Sequence, residues 1–139
     1  MYSKQIIDRF TSPINSGLIK NASGVGSATN EKLGEVAKIY LKVEDGIVKD
    51  AKFKVFGGIV SIAVFDVALD LLKDKQIDDI YINEEEIVSV LGAIDIDKLY
   101  TIKLCKDTIA DAVRDYHKKQ KKLELSLLKA QAIESANNN

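Results

Sequence analysis

The sequence is poor in the residues that form covalent and metal cross-links. It contains one cysteine, Cys105, and one histidine, His117, among 139 residues. A single cysteine excludes a disulfide within the chain and is typical of a reducing compartment. One sulfur and one imidazole are also too few donors for a zinc or iron–sulfur site held by this chain alone. We therefore expect no metal bound within one chain.

Long apolar runs and an excess of one charge are missing as well. No segment has the roughly 20 apolar residues that a membrane-spanning helix needs, and the first residues do not follow the pattern of a signal peptide. The 20 Lys and Arg nearly balance the 21 Asp and Glu, which argues against a global attraction to nucleic acid or membranes. We expect a cytoplasmic protein without nucleic-acid or membrane partners.

What is present is the composition of one globular domain, with 46% hydrophobic and 29% charged residues. Period-2 alternation predicts two strands, Lys38–Val43 and Ala51–Val55, joined by the turn Glu44-Asp45-Gly46. Residues 11–34 are rich in Ser, Asn and Gly and are predicted to be mostly loop. Within them, Gly24-Val25-Gly26 is too short for a dinucleotide-binding fingerprint.

Helical spacing of apolar residues predicts four helices. They are expected at 3–10, at 60–73, from a cap at Asn83 to Leu91, and from about Lys103 to Ala136. We assign residues 1–122 to one domain, 123–136 to a C-terminal helical extension and 137–139 to a disordered tail. The leucines of the extension favour either an oligomerisation helix or a helix that folds back onto its own domain, and the pattern does not choose between them.

Cys105 is the most informative single residue of the chain. It is predicted near the start of the last helix, between Lys103 and Lys106, where the helix N-terminus and the cations would favour a thiolate. The residues alone favour the other interpretation, a small buried apolar side chain, because free cysteines are commonly buried. His117 and the run Lys118–Lys122 are expected on a solvated helix face.

Three segments resemble the IscU/NifU-type (SufU-like) family of iron–sulfur cluster assembly scaffolds. The opening Met1-Tyr2-Ser3 with Pro13, Asn15 and Gly17 is similar to the opening of that family. The hairpin Asp45–Gly57 looks like its signature segment, and Cys105–Lys119 resembles its last helix. The resemblance covers roughly residues 1–122.

The resemblance implies an α+β fold. The expected architecture is a small three-stranded antiparallel sheet with helices packed mainly on one face, followed by a long C-terminal helix. It also implies a non-enzymatic role in iron–sulfur cluster assembly, with a cysteine desulfurase or another assembly protein as partner. Family members hold a [2Fe–2S] cluster or zinc through three cysteines, aided by an aspartate and sometimes a histidine.

This chain departs from the family at the ligand positions. Two of the three cysteines correspond to Leu33 and Gly58, the histidine to Leu104, and the aspartate to Glu35. Only the third cysteine remains, as Cys105. The resemblance therefore makes Cys105 the candidate for cluster binding or for a persulfide, and Glu35 a weak second candidate.

Two functions remain open from the sequence. In the first, sulfur acceptance or cluster binding depends on Cys105 together with donors from a partner or a second chain. In the second, the chain is a cluster-free pseudo-scaffold that acts as a protein-interaction module. The second function, and a possible homo-oligomer, would use the C-terminal helix or an apolar patch formed by Leu33, Ile59, Val60 and Leu104.

Overall fold

The computed structural model describes residues 2–138, which form one three-stranded antiparallel sheet and four α-helices. Along the chain the elements are α1 Lys4–Thr11, β1 Gly24–Asn30, β2 Glu35–Glu44, β3 Ile47–Phe56, α2 Ile59–Leu72, α3 Glu84–Leu91 and α4 Tyr100–Asn137. Two short 3₁₀ turns, Ile77–Asp79 and Ile96–Lys98, lie in the connections. The predicted α+β fold is confirmed.

The hairpin β2–β3 has the predicted turn. Asp45 and Gly46 both have positive φ, 53° and 75°. Two-residue hairpin loops favour this geometry because the twist of the turn then matches the twist of the two strands. Lys42 faces Asp50 and Val43 faces Val48, so Lys49 is an extra residue that forms a bulge in β3. The bulge keeps Val48 and Ala51 on the same buried face of the sheet.

The core lies between one face of the sheet and the helices. We call this face the inner face, and its buried side chains are Ala37, Ile39 and Leu41 of β2 with Ala51 and Phe53 of β3. α2 is buried over most of its surface, as its nearly continuous apolar sequence predicted. α2 and α4 contact the sheet directly, and α1 and α3 pack on α2. The opposite, outer face of the sheet is open to solvent.

An ion pair explains the two aspartates within the apolar sequence of α2. Arg9 of α1 donates to Asp66 at 2.9 Å and to Asp70 at 2.6 Å. Asp66 is fully buried, and its second oxygen accepts from the backbone N–H of Asn15 at 2.8 Å. Because a buried carboxylate is stable only when it is paired and hydrogen-bonded, this network fixes α1 against α2.

The third strand, β1, was expected to be loop, and that prediction is wrong. Its sequence is built from small residues that do not alternate in hydrophobicity, so no strand pattern is visible. The structure explains the composition, because α4 crosses β1 at very short range. A Cβ atom on Gly26 would lie 2.5 Å from the carbonyl oxygen of Thr108, and one on Gly24 would lie 2.5 Å from that of Ala112.

Two aspartates of α4 cover the free edge of β1. Asp111 accepts from the backbone N–H of Ser27 at 2.9 Å, and Asp115 accepts from that of Val25 at 2.8 Å. Burial opposes ionisation of Asp115, but the hydrogen bonds from Lys119 and Val25 outweigh it and lower the pKa of this carboxyl group. The carboxylates thus satisfy N–H groups that an edge strand would leave exposed.

α4 is longer than predicted. It begins at Tyr100 rather than near Lys103 and continues for 38 residues to Asn137. Residues 117–138 are all exposed, so the second half of the helix protrudes from the domain instead of folding back. Asn137, which was expected in a disordered tail, is the last helical residue. In the part of the chain that the structure describes, no helix is both long and apolar enough to cross a membrane.

Candidate functional site

The positions of the family ligands meet at one end of the sheet. Here the turn 31–34 between β1 and β2, the turn 57–58 between β3 and α2, and the first two turns of α4 come together. A cavity of about 470 Å³ separates the first of these turns from α4, with Lys32 on one side and Leu104 on the other. We call this region the turn end.

The three replaced ligand positions offer no donor atom. Leu33 is 52% exposed, and Gly58 is exposed with no atom near the place of a Cβ. Leu104 is buried and belongs to the hydrophobic core. An alkyl group or a bare glycine cannot coordinate iron or zinc, so these residues supply space or packing only.

Glu35 points inward beneath the turn end and is only 5% exposed. Its Oε1 accepts from Ser61 Oγ at 2.8 Å and from the backbone N–H of Gly58 at 3.5 Å. Its Oε2 is buried and has no hydrogen-bond partner among residues 2–138. A Cβ on Gly57 would lie 3.0 Å from Oε1, so the glycine lets the chain pass close to the carboxyl group. A carboxyl oxygen is an acceptor, so Oε2 keeps lone pairs that no described group uses.

A row of buried polar side chains leads from Glu35 to Cys105. Ser61 Oγ lies 3.5 Å from Thr101 Oγ1, and Thr101 is fully buried. Thr101 and Cys105 are four residues apart on α4, so their side chains lie on the same face in successive turns. The structure thus brings the two sequence-predicted site residues to the same end of the molecule, with Ser61 and Thr101 between them.

The environment of Cys105 is apolar and closed to solvent. The thiol is fully buried in the second turn of α4 and not at the helix N-terminus. Lys103 and Lys106, the two expected activating cations, pair instead with Asp107 at 2.8 Å and with Glu84 at 3.1 Å. Burial raises the pKa of the Cys105 thiol, which keeps it protonated at neutral pH. The structure therefore agrees with the buried side chain that the residues alone favoured and not with the thiolate, and the role of Cys105 in sulfur or cluster chemistry stays a prediction.

The donor set of the turn end does not suit a complete metal centre. Within residues 2–138 no group of three or more His, Cys, Asp or Glu side chains is placed to hold a metal ion. The turn end supplies one carboxylate and one buried thiol, whereas a [2Fe–2S] cluster or a structural zinc has four ligands. At the turn end, residues 2–138 therefore supply at most two of those four ligands.

The expected apolar patch is not formed as predicted. Val60 and Leu104 are buried in the core, and Ile59 is partly buried against it. Of the four expected residues only Leu33 is largely exposed. Sequence reasoning missed Val36 and Phe56, which face each other across β2 and β3 beside the turn end and are 51% and 78% exposed. Their outward position follows from the strand alternation that was already visible.

His117 lies far along α4 from the turn end and is exposed, as predicted. Its Nε2 lies 3.1 Å from Asp78 Oδ1 at the rim of a cavity of about 500 Å³ between α4 and the segment Ile77–Ile82. A single histidine paired with one exposed carboxylate is not a metal site.

Comparisons with known proteins identify the family to which this domain is similar. The sequence profile of the NifU-like N-terminal domain matches residues 1–123. The chain is 34% identical to the iron–sulfur cluster assembly scaffold protein IscU 1 of Archaeoglobus fulgidus, over 89% of this chain and 82% of that protein. It is 37% identical to the iron sulfur cluster assembly protein 1 of Trachipleistophora hominis, over 85% and 88% of the two chains.

Solved structures show the same fold. The N-terminal part of a nitrogen-fixing NifU-like protein from Brucella abortus superposes with a TM-score of 0.69 at 17% identity, covering 84% of this chain and 94% of that one. The family profile spans nearly the whole folded domain, and this chain covers most of the length of relatives that are more than 30% identical to it. The chain therefore belongs to the NifU-like N-terminal domain family, among the IscU/NifU-type scaffolds.

Proposed function

We propose that this chain acts in iron–sulfur cluster assembly as a scaffold that holds its cargo jointly with a second protein. Its relatives are named for that process. The comparisons favour this function over a cluster-free interaction module. The role is that of a carrier and not of an enzyme, because the chain would bind sulfur and iron that other proteins deliver.

The observation that carries the proposal is the unpartnered Oε2 of Glu35 at the turn end. Leaving a buried polar atom without a hydrogen bond costs about 1–3 kcal/mol of stability. The carboxylate stands where the family has an aspartate, and Cys105 stands where it has a cysteine. A buried oxygen without a partner, at the same end of the molecule as the one remaining sulfur, is the part of a cluster site that this chain retains.

The remaining donors have to come from another protein that docks at the turn end. Leu33, Val36 and Phe56 expose apolar surface there, which is typical of a contact region. Docking also has to move the first turns of α4, because Cys105 lies in them and is buried in the hydrophobic core. We infer that the partner is a cysteine desulfurase or another iron–sulfur assembly protein.

The sulfur step needs no cofactor on this chain. The Cys105 thiol, once exposed, loses its proton to solvent, and the thiolate attacks the outer sulfur of a persulfide on the partner. The sulfur–sulfur bond of the partner breaks, its thiolate leaves, and a new persulfide forms on Cys105. The exposure of Cys105 is therefore the step that controls sulfur transfer.

Intact-protein mass spectrometry tests this function. The chain is incubated anaerobically with a cysteine desulfurase, cysteine and iron, and then separated from the desulfurase. We expect the mass of a sulfur atom to be added at Cys105, and the variant Cys105→Ser to gain none. The proposal is wrong if Cys105→Ser gains the same mass, or if the natural chain gains neither sulfur nor visible-range absorbance.

We further propose that the protruding half of α4, residues 117–137, pairs with the same segment of a second copy. Its five exposed large apolar side chains are Leu123, Leu125, Leu127, Leu128 and Ile133. A solvated helix of this length is marginal unless it is packed against something. Four lysines, Lys118, Lys119, Lys121 and Lys122, lie near the start of the segment and Glu134 lies near its end, so an antiparallel pair places opposite charges together.

A further inference from the structure

The outer face of the sheet is a basic surface. Strand alternation places Lys38 and Lys42 of β2 and Lys52 and Lys54 of β3 on this face, where Lys38 and Lys54 are exposed. In the register of the hairpin, Lys38 lies directly opposite Lys54. The chain as a whole has a formal net charge of −1, so this concentration of positive charge is local.

The fold leaves three of these four lysines without an acidic partner. Among residues 2–138, Lys38, Lys52 and Lys54 have no ion pair. Lys42 lies opposite Asp50 in the hairpin register and donates to the carbonyl oxygen of Asn21. Like charges placed directly opposite each other on a sheet are destabilising. The facing pair Lys38 and Lys54 therefore does not stabilise the hairpin.

An apolar site adjoins the lysines. Val36 and Phe56 lie opposite each other on the outer face, one pair closer to the turn end than Lys38 and Lys54. Both are largely exposed. They line a shallow cavity of about 310 Å³ together with Lys38 and Lys54. Positive charge and an apolar depression thus lie side by side, which suits a ligand that is acidic along its length and apolar at one point.

We propose that this outer face docks an acidic protein segment that inserts one apolar side chain between Val36 and Phe56. Carboxylates of the segment lie over Lys38, Lys52 and Lys54. The inference does not rest on the proposed function, because it needs neither Cys105 nor Glu35. It places the bound segment beside the turn end, since Val36 and Phe56 are neighbours of Glu35 and Gly57.

The aromatic side chains favour a protein over a nucleic acid. Single-stranded nucleic acids bind to sheets through rings on which successive bases stack. Tyr40 faces Lys52, whereas Phe56 faces Val36, so the two rings are four positions apart along the strands, about 13 Å. The Lys38 ammonium also lies over the Tyr40 ring, 5.9 Å from its centre. The face therefore has no continuous stacking platform.

Nuclear magnetic resonance on the full-length ¹⁵N-labelled chain tests this proposal. The probe is a synthetic peptide of alternating glutamate and leucine, and the control ligand is single-stranded oligothymidylate. The test variant is Lys38→Glu, which folds because the new carboxylate pairs with Lys54. The matched control is Lys121→Glu, which makes the same charge change on the protruding helix.

We expect the peptide to shift the amide resonances of Lys38, Lys54 and Phe56, and added salt to weaken binding. Lys38→Glu should weaken binding about tenfold, and Lys121→Glu by less than about twofold. The proposal is overturned if both variants weaken binding equally, if the shifts lie elsewhere, or if oligothymidylate binds the same face more tightly than the peptide.

Discussion

Ser61 Oγ donates to Glu35 Oε1 at 2.8 Å, while the other oxygen of the same carboxyl group, Oε2, is buried without a partner among the described residues. One half of the carboxyl group is thus held in place by the protein and the other half is left free. The hydrogen bond fixes the direction of the free oxygen, which is the arrangement expected of a ligand that is oriented by a neighbouring side chain.

Replacing Glu35 with glutamine tests whether the carboxyl group is needed for the stability of the fold. Glu35→Gln keeps an oxygen that accepts from Ser61, and a neutral amide is cheaper to bury than a carboxylate. We expect the free energy of unfolding to rise by about 1 kcal/mol, measured by urea denaturation. The control Glu31→Gln, in the exposed turn, should change it by less than about 0.5 kcal/mol. A loss of about 2 kcal/mol in Glu35→Gln would mean that the carboxyl group is a structural acceptor only.

Because β1 packs closely on α4, we expect a substitution of Gly26 to lower the stability of the fold strongly. Gly26→Ala places a methyl group 2.5 Å from the carbonyl oxygen of Thr108, where only the backbone can give way. We expect a loss of about 3 kcal/mol in the free energy of unfolding. Gly58→Ala is the matched control, because no atom lies within 4 Å of its Cβ position, and it should be neutral. Equal effects at the two glycines would contradict the packing described for β1.

The sequence predicted the elements that carry a hydrophobic period and missed the one that does not. The hairpin β2–β3 and the helices follow from alternation and helical spacing. β1 carries Gly24 and Gly26 on its inner face, because a helix passes where side chains would stand. Only the family resemblance implied a third strand, since local pattern cannot report a close approach between distant segments.

For the site, the sequence identified the residues and favoured a buried Cys105, but it did not reveal the partners of the neighbouring lysines. Glu35 and Cys105 lie at one end of the molecule, as the resemblance implied. That Cys105 is buried depends on α4 starting earlier, at Tyr100, and on the packing of Leu104 and Ile109 around it. The partners of Lys103 and Lys106 are set by tertiary contacts and by the helix register, which flanking charge alone does not reveal.

Burial of Cys105 makes stability depend on pH in the alkaline range. Its pKa is raised in the folded protein, whereas an unfolded thiol titrates near about 8.5. The folded state keeps a proton that the unfolded state loses, so the stabilisation from this group is complete below about pH 8 and is lost as the pH rises. From pH 7 to pH 10 the stability of the natural chain relative to Cys105→Ala should fall by about 2 kcal/mol. A constant difference across this range, or rapid alkylation of Cys105 at neutral pH, would contradict its burial.

Deleting residues 123–139 tests the role of the protruding helix. Since residues 117–138 are exposed, the melting temperature of the domain should change by less than about 2 °C. Sedimentation should give a dimer for the full chain and a monomer for the truncated one at the same concentration. The substitution Leu127→Glu should have the same effect as the deletion. A full-length chain that stays monomeric would refute the helix pairing.

The most direct test of the account is the iron and acid-labile sulfide content of the purified chain after anaerobic reconstitution without any partner. We predict far less than one iron per chain, because Leu33, Gly58 and Leu104 carry no donor atom. The variant Leu33→Cys/Gly58→Cys, which restores two sulfur donors beside Cys105, should gain iron under the same conditions. A stoichiometric cluster retained by a single natural subunit would contradict the claim that this chain needs a second protein to hold its cargo.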